Sequence, residues 1–127
     1  RRFGPLRGRA WLVMEFVSGH DITQLCKEPR PDHETARRVV RSMTSLLAQL
    51  AQCRISHGDM KGTNFIQSPQ GIAVIDLDSM REHRSDRAFQ GPQQRDLQRF
   101  MRNWQPCPDV EALFREAMPY KKRVTAT

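Results

Sequence analysis

The sequence predicts a mostly helical α+β fold in which a small β-hairpin follows a long helix. Two patterns within the 127 residues carry this prediction. Between residues 32 and 54, apolar side chains recur every three or four positions, which is the period of an amphipathic helix. Directly afterwards, the runs NFIQ and IAVID flank the sequence SPQG, a pattern typical of two short strands joined by a tight turn.

The elements before the hairpin follow from local patterns. Residues 10–17, AWLVMEFV, are almost continuously apolar and predict a buried strand. A short helix is expected around Ile22 to Cys26, before the prolines at positions 29 and 31 interrupt the chain. Asp32 is placed to cap the long helix over 32–54, because its carboxylate can accept a hydrogen bond from the first helical turn.

The C-terminal third contains two further helical patterns. The polar run REHRSDRAFQGP predicts a loop, and its arginines fit either solvation or contact with an acidic substrate. Amphipathic spacing then predicts helices over 92–105 and 109–118. A chain of this length is expected to form one domain, or part of a larger one.

Composition narrows the class of protein. Hydrophobic residues make up 38% and charged residues 28% of the chain, as in soluble globular proteins, and no apolar run approaches the roughly 18 residues that a transmembrane helix needs. The net charge of +7 favours an anionic partner, such as nucleic acid, an anionic membrane or a phosphorylated substrate. Scattered basic residues and few aromatics argue against nucleic acid.

The three cysteines, Cys26, Cys53 and Cys107, are widely spaced and form no CxxC pair. This spacing predicts reduced thiols in a cytoplasmic protein rather than a disulfide framework or a zinc site. Cys53 continues the apolar stripe of the long helix, so it is expected in the core.

Four polar residues around the hairpin form the candidate site. Asp59, Lys61 and Asn64 follow the spacing D-x-K-x-x-N, and Asp76 lies where the second strand of the hairpin ends. A tight hairpin would return Asp76 to the neighbourhood of Asn64, and two such oxygen ligands suit Mg²⁺. Asp59 is then placed to orient a substrate hydroxyl, and Lys61 to neutralise charge on a transferring phosphoryl group.

Two motifs here resemble the protein-kinase-like fold. HGDMKGTN resembles the H-R-D-x-K-x-x-N catalytic loop, with Gly58 in place of the usual arginine. VIDLD resembles the D-F-G segment, with Leu77 for phenylalanine and Asp78 for glycine. In this I-D-[FL]-D form, the sequence looks most similar to the bacterial lipopolysaccharide core kinases, the Kdo kinase/WaaP family.

The resemblance implies the mostly helical C-terminal lobe of a protein-kinase-like fold, with the active site on a small β-hairpin. Residues 10–20 would form the last N-lobe strand and the hinge, residues 55–64 the catalytic loop, and residues 64–78 the hairpin with the metal-binding segment. No glycine-rich loop and no strand lysine precede Trp11, so an N-terminal lobe is expected upstream in the parent chain.

The resemblance also implies roles for individual residues. Asp59 and Lys61 would be catalytic, while Asn64 and Asp76 would bind Mg²⁺ and, through it, ATP. The adenine would lie against the hinge, formed by Met14, Glu15, Phe16 and Val17. Structural support would come from His57, Asp78 and Asp96. Of these, Asp96 in QQRDLQRF would hydrogen-bond the catalytic-loop backbone, and Asp78 fits metal support and turn chemistry equally well.

The expected function is ATP- and Mg²⁺-dependent phosphoryl transfer to a hydroxyl, with a lipopolysaccharide core sugar as the acceptor that the resemblance implies. Only about 17 residues separate Asp78 from Asp96, a segment short for docking an extended peptide. Such an enzyme would be cytoplasmic, with peripheral contact to an anionic inner membrane through its basic surface. Two alternatives stay open: a protein Ser/Thr kinase-like enzyme, and a non-catalytic pseudokinase or binding module.

Overall fold

The computed structural model describes residues 17–118, together with the backbone of residues 2–3 and 6–7. The predicted strand before Val17, the hinge residues Met14, Glu15 and Phe16, and the C-terminal tail therefore lie outside the described residues. Strands β1 (Arg2–Phe3) and β2 (Leu6–Arg7) pair with each other in antiparallel fashion.

Between residues 17 and 118, five further short strands form two small antiparallel sheets. The first sheet has the order β3-β5-β6, and a separate pair joins β4 to β7. The strand bounds are β3 (His20–Asp21), β4 (Ile55–Ser56), β5 (Phe65–Ser68), β6 (Gly71–Val74) and β7 (Arg81–Glu82). The hairpin prediction is confirmed, because Phe65 faces Val74 and Ser68 faces Gly71 across β5 and β6.

The three longest elements of the described structure are the α-helices α1 (His33–Gln52), α2 (Asp86–Arg102) and α3 (Pro108–Ala117). Short 3₁₀ helices occupy Ile22–Cys26 and Gly62–Asn64. Asp32 caps α1 as predicted, since its side chain accepts a hydrogen bond of 2.9 Å from the Thr35 amide. This contact, with a second one from the Thr35 hydroxyl, lowers the pKa of the exposed Asp32 carboxyl.

The predicted start of the second helix at residue 92 is wrong. Helix α2 begins at Asp86, because the Ser85 hydroxyl caps it by accepting a hydrogen bond of 3.1 Å from the Ala88 amide. Phe89 anchors the added turns by burying its ring. Pro92 therefore lies inside the helix, where it cannot donate the usual bond to the carbonyl four residues earlier. Local capping and burial offset that loss.

The core lies where the three helices meet the hairpin. Four aromatic rings occupy its centre, and each is fully buried: Phe65, Phe100, Trp104 and Phe114. Phe100 contacts the other three edge-on, with centroid distances between 5.0 and 6.3 Å. Phe65 thus ties the hairpin directly to α2, and Phe114 joins α3 to the same Phe100 ring. Among the described residues, no helix has the length and apolar character needed to cross a membrane.

The cysteine predictions are wrong. Cys26 and Cys107 form a disulfide, with their Cα atoms 5.9 Å apart although 81 positions separate them in sequence. The fold places the end of the first 3₁₀ helix beside the start of α3, which spacing in the sequence does not reveal. Cys53 is exposed rather than buried, because α1 ends at residue 52 and the apolar stripe stops there.

An ion pair reinforces the junction that the disulfide closes. The Arg30 guanidinium lies 2.6 Å from the Asp109 carboxylate in the first turn of α3. The hydrogen bond from Arg30 lowers the pKa of Asp109. The disulfide and this ion pair together hold the segment before α1 against the start of α3.

We expect the oxidised protein, once unfolded, to expose one reactive thiol, that of Cys53, and to expose three after reduction. Reduction should also lower the free energy of unfolding by about 2–5 kcal/mol, because the cross-link closes a long loop in the unfolded chain. Thiol titration in denaturant and urea unfolding measure the two effects. The variant Cys53→Ser should show no reactive thiol before reduction. Three reactive thiols in the unfolded protein before reduction would contradict the Cys26–Cys107 disulfide.

Candidate functional site

The predicted catalytic loop runs from β4 to the start of β5, and His57 is buried completely at its base. Nδ1 of His57 accepts a hydrogen bond of 3.1 Å from the Asp59 amide, and Nε2 donates one of 3.1 Å to the Ile75 carbonyl. Both ring nitrogens are therefore occupied in the neutral form of the imidazole. His57 braces the loop against the end of the hairpin and has no nitrogen left to act as a base.

Helix α2 holds the loop on both sides of Asp59. The Asp96 carboxylate accepts hydrogen bonds from the amides of His57, at 2.7 Å, and Gly58, at 3.1 Å. These are the backbone contacts that the resemblance implied for Asp96. Seven residues later, at the C-cap of α2, the Asn103 side chain accepts a hydrogen bond of 3.1 Å from the Gly62 amide and donates one of 2.9 Å to the Met60 carbonyl.

Asn103 is the residue that sequence reasoning missed. It is the C-cap of α2 and keeps a helical backbone, two turns after Asp96, so both side chains project from the same face. That spacing was the available signal, but asparagine is common on solvated helix faces and the pattern alone does not single it out.

The structure brings Asp59, Lys61 and Asn64 together. Nζ of Lys61 lies 3.4 Å from the Asp59 carboxylate, whose side chain is 27% exposed, while Lys61 itself is 56% exposed. Nδ2 of the buried Asn64 donates a hydrogen bond of 2.8 Å to the Asp59 main-chain carbonyl. This bond fixes the amide, so its Oδ1 is the end that can accept or coordinate. Asp59 and Lys61 remain accessible to a substrate.

Asp76 lies one position beyond the last hydrogen bond of the hairpin. The Ile75 amide donates a 2.9 Å bond to the Asn64 carbonyl, which extends the β5–β6 ladder and leaves Asp76 as the next residue. Asp76 has a left-handed backbone with φ of +58°, a conformation that costs a non-glycine residue about 1–3 kcal/mol. Its carboxylate is exposed and has no hydrogen bond or ion pair within residues 17–118.

The residues after Asp76 are also open to solvent. Leu77 is 51% exposed and is the one large hydrophobic side chain so exposed in the described part of the chain. Asp78 is exposed as well. The segment VIDLD therefore leaves the hairpin as an accessible turn that returns to the catalytic loop through β7.

The donor set fits a hard divalent cation bound by few protein ligands. Within the described residues, no group of three or more histidine, cysteine, aspartate or glutamate side chains is arranged to hold a metal ion. Asn64 and Asp76 instead supply oxygen donors from adjoining positions of the hairpin. Mg²⁺ is commonly held in this way, with one or two protein oxygens and a shell completed by phosphate and water.

Replacing Asn103 with alanine is expected to lower the free energy of unfolding by about 2 kcal/mol, because the buried Gly62 amide loses its acceptor. Urea denaturation measures the change. Asn103→Asp is the matched control: it keeps the acceptor for Gly62 but cannot donate to Met60, so it should be intermediate. An alanine variant within about 0.5 kcal/mol of the wild type would show that the hydrogen bonds of Asn103 contribute little to stability.

A comparison with protein-family models assigns the chain to a family. Residues 6–113 match the RIO domain, an atypical protein-kinase-like family. The match covers most of the chain and supports the kinase-like fold that the motifs implied, with a helical lobe and small antiparallel sheets. It does not confirm the more specific likeness to the lipopolysaccharide core kinases. This chain belongs to the RIO domain family, a group of atypical kinase-like proteins.

Proposed function

We propose that this domain carries the catalytic loop of a phosphotransferase that moves the terminal phosphoryl group of ATP to a hydroxyl in the presence of Mg²⁺. Membership of a kinase-like family supports the reaction class. The observation that carries the proposal is the exposed Asp76 carboxylate, which has no hydrogen bond or ion pair among residues 17–118. Asp76 has a left-handed backbone and directly follows Ile75, whose amide bonds the Asn64 carbonyl. Strain held at an accessible polar residue is typical of ligand-binding positions.

Each polar residue then has a distinct role. Asn64 and Asp76 hold the cation, which supplies positive charge that neutralises the nucleotide phosphates. Asp59 orients the acceptor hydroxyl and receives its proton, and its fixed main chain makes that orientation reproducible. Lys61, 3.4 Å from Asp59, places a second positive charge where negative charge develops during transfer. His57 and Asp96 hold the loop in shape.

The nucleotide base is proposed to lie against the hinge at residues 14–17, of which Val17 is within the described residues and half-buried. For the acceptor, two hydroxyl classes are proposed. A serine or threonine of a protein is compatible with the family match. A lipopolysaccharide core sugar has only the sequence resemblance in its favour. The second acceptor would place the enzyme at the cytoplasmic face of an anionic membrane, where a net charge of +7 is favourable.

The test is Mg²⁺-dependent ATP binding, measured by calorimetry on this chain and on Asp76→Asn. Asparagine tolerates the left-handed backbone, so the variant removes the charge without adding strain. We expect binding that requires Mg²⁺ and weakens at least tenfold in the variant. Asp86→Asn is the matched control, because Asp86 is an exposed aspartate on α2 in a weak ion pair. Equal binding by wild type and Asp76→Asn would contradict the metal role.

A turnover arm separates an enzyme from a binding module. Asp59→Asn should retain Mg²⁺-dependent ATP binding while ATP consumption falls by about 10²-fold or more, because the acceptor loses its base. Binding without turnover in the wild type, with both serine-containing peptides and core sugars as acceptors, would favour the non-catalytic alternative.

A further inference from the structure

A basic cleft of about 420 Å³ opens beside the catalytic loop, and the proposed chemistry does not account for it. Three arginines line it from two elements: Arg81 on β7, and Arg95 and Arg99 on α2. Gly58 forms part of its wall, directly before Asp59 in the chain. The cleft is therefore continuous with the loop that carries the proposed acceptor-orienting residue.

Among residues 17–118, no ion pair neutralises the positive charge in this cleft. None of the ion pairs within the described residues involves any of the three arginines. Asp96 also lines the cleft, but its two carboxylate oxygens already accept the amides of His57 and Gly58. Three guanidinium groups around one acid leave a net positive charge in a concave site, where an anion is attracted more strongly than on a flat surface.

The chemistry of the three arginines suits a phosphate ligand. Nη1 of Arg99 donates a 3.1 Å hydrogen bond to Oδ1 of Asn103, which steadies one side of the guanidinium. Arg81 and Arg95 are exposed and can turn toward a ligand. Guanidinium groups bind phosphate and carboxylate oxygens in a bidentate manner, so three of them around one cleft offer more donors than a single anion needs.

We propose that this cleft is the acceptor subsite and binds a phosphomonoester group carried by the hydroxyl substrate. This inference rests on the proposed function and deepens it, because it assigns an already phosphorylated acceptor to the loop. The anion would be held by Arg81, Arg95 and Arg99, next to the residue that orients the hydroxyl. Gly58, which lines the cleft, directly precedes Asp59 in the chain.

The test uses the full chain without Mg²⁺ or nucleotide, at constant ionic strength. Glucose 6-phosphate and inorganic phosphate are titrated by calorimetry, with glucose as the neutral comparison. We expect both phosphates to bind saturably and glucose not to bind. The variant Arg81→Gln/Arg95→Gln should weaken phosphate binding at least tenfold. The matched control, Arg37→Gln/Arg38→Gln, removes the same charge from an exposed part of α1 and should change binding less than twofold.

Several outcomes would overturn the proposal. Equal weakening in both double variants would mean that net charge alone attracts the anion. Failure of glucose 6-phosphate to compete with inorganic phosphate would restrict the cleft to a free ion. Parallel loss of Mg²⁺-dependent ATP binding in Arg81→Gln/Arg95→Gln would assign the cleft to the nucleotide. Two results separate this proposal from the proposed function. Asp76→Asn should still bind phosphate, because Asp76 does not line the cleft. A wild type that binds phosphate but not ATP would refute the proposed function, and with it the acceptor role of the cleft, while the cleft would still be an anion site.

Discussion

Replacing Asp96 with alanine is expected to lower the free energy of unfolding by about 3 kcal/mol and to abolish any activity of the catalytic loop. The carboxylate accepts the amides of His57 and Gly58, and hydrogen bonds to a charged group contribute about 1.5–3 kcal/mol each. Without it, two amides of a partly buried loop lose their acceptors. The backbone before Asp59 would no longer have one fixed position.

Urea denaturation measures the loss of stability, and amide hydrogen exchange at His57 and Gly58 shows whether the loop has opened. Asp96→Asn keeps one acceptor oxygen and should lose about half as much stability. Asp86→Ala, in the first turn of the same helix, is the control, and should change stability by less than about 0.5 kcal/mol. If Asp96→Ala and Asp86→Ala had the same free energy of unfolding, the hydrogen bonds from Asp96 to the loop would not contribute to stability.

Substituting Gly58 with alanine is expected to destabilise the protein by about 2–4 kcal/mol. Gly58 has φ of +86°, which L-residues rarely adopt, and an added Cβ would lie 2.6 Å from Cβ of Ser79 and 3.0 Å from its carbonyl oxygen. The chain after Asp78 would have to move away from the loop. This contact gives a physical reason why the arginine usual in kinase catalytic loops is not accommodated at position 58.

Gly71→Ala is the matched control for this prediction. Gly71 also has a left-handed φ, of +127°, but a Cβ there meets no atom within 4 Å. Its variant should cost only the backbone strain, about 1–2 kcal/mol. The difference between the two variants, measured by thermal or urea unfolding, isolates the collision with Ser79. Equal losses would show that strain alone determines the cost at Gly58.

The two variants also separate stability from chemistry at the site. Asp96 acts on the loop from α2, whereas Gly58 acts through the segment that follows Asp78. If Asp96→Ala and Gly58→Ala both lower activity in proportion to the increase in amide exchange of the loop, the rate depends on how well the Asp59 main chain is held in position. A loss of activity in Gly58→Ala with a closed loop would point instead to the adjoining cleft.

Elements set by neighbours in sequence were predicted well. Helix α1, its Asp32 cap and the β5–β6 hairpin follow from period, capping chemistry and turn residues, all of which act within a few positions. The spacing of Asp59, Lys61 and Asn64 was likewise visible, because one short loop carries all three. Asp96 was identified only through the family resemblance, since no periodicity marks it.

The long helix, the hairpin and the polar loop between them could be predicted from local sequence, since each depends on short-range geometry. Tertiary packing decided the other features: the Cys26–Cys107 disulfide, the start of α2 before Pro92, the hydrogen bonds of Asn103 to the loop, and the cleft lined by arginines from β7 and α2. These features join residues far apart in the chain. Their contacts depend on which helix faces are buried in the core. Those faces are determined only when the helices pack around Phe100.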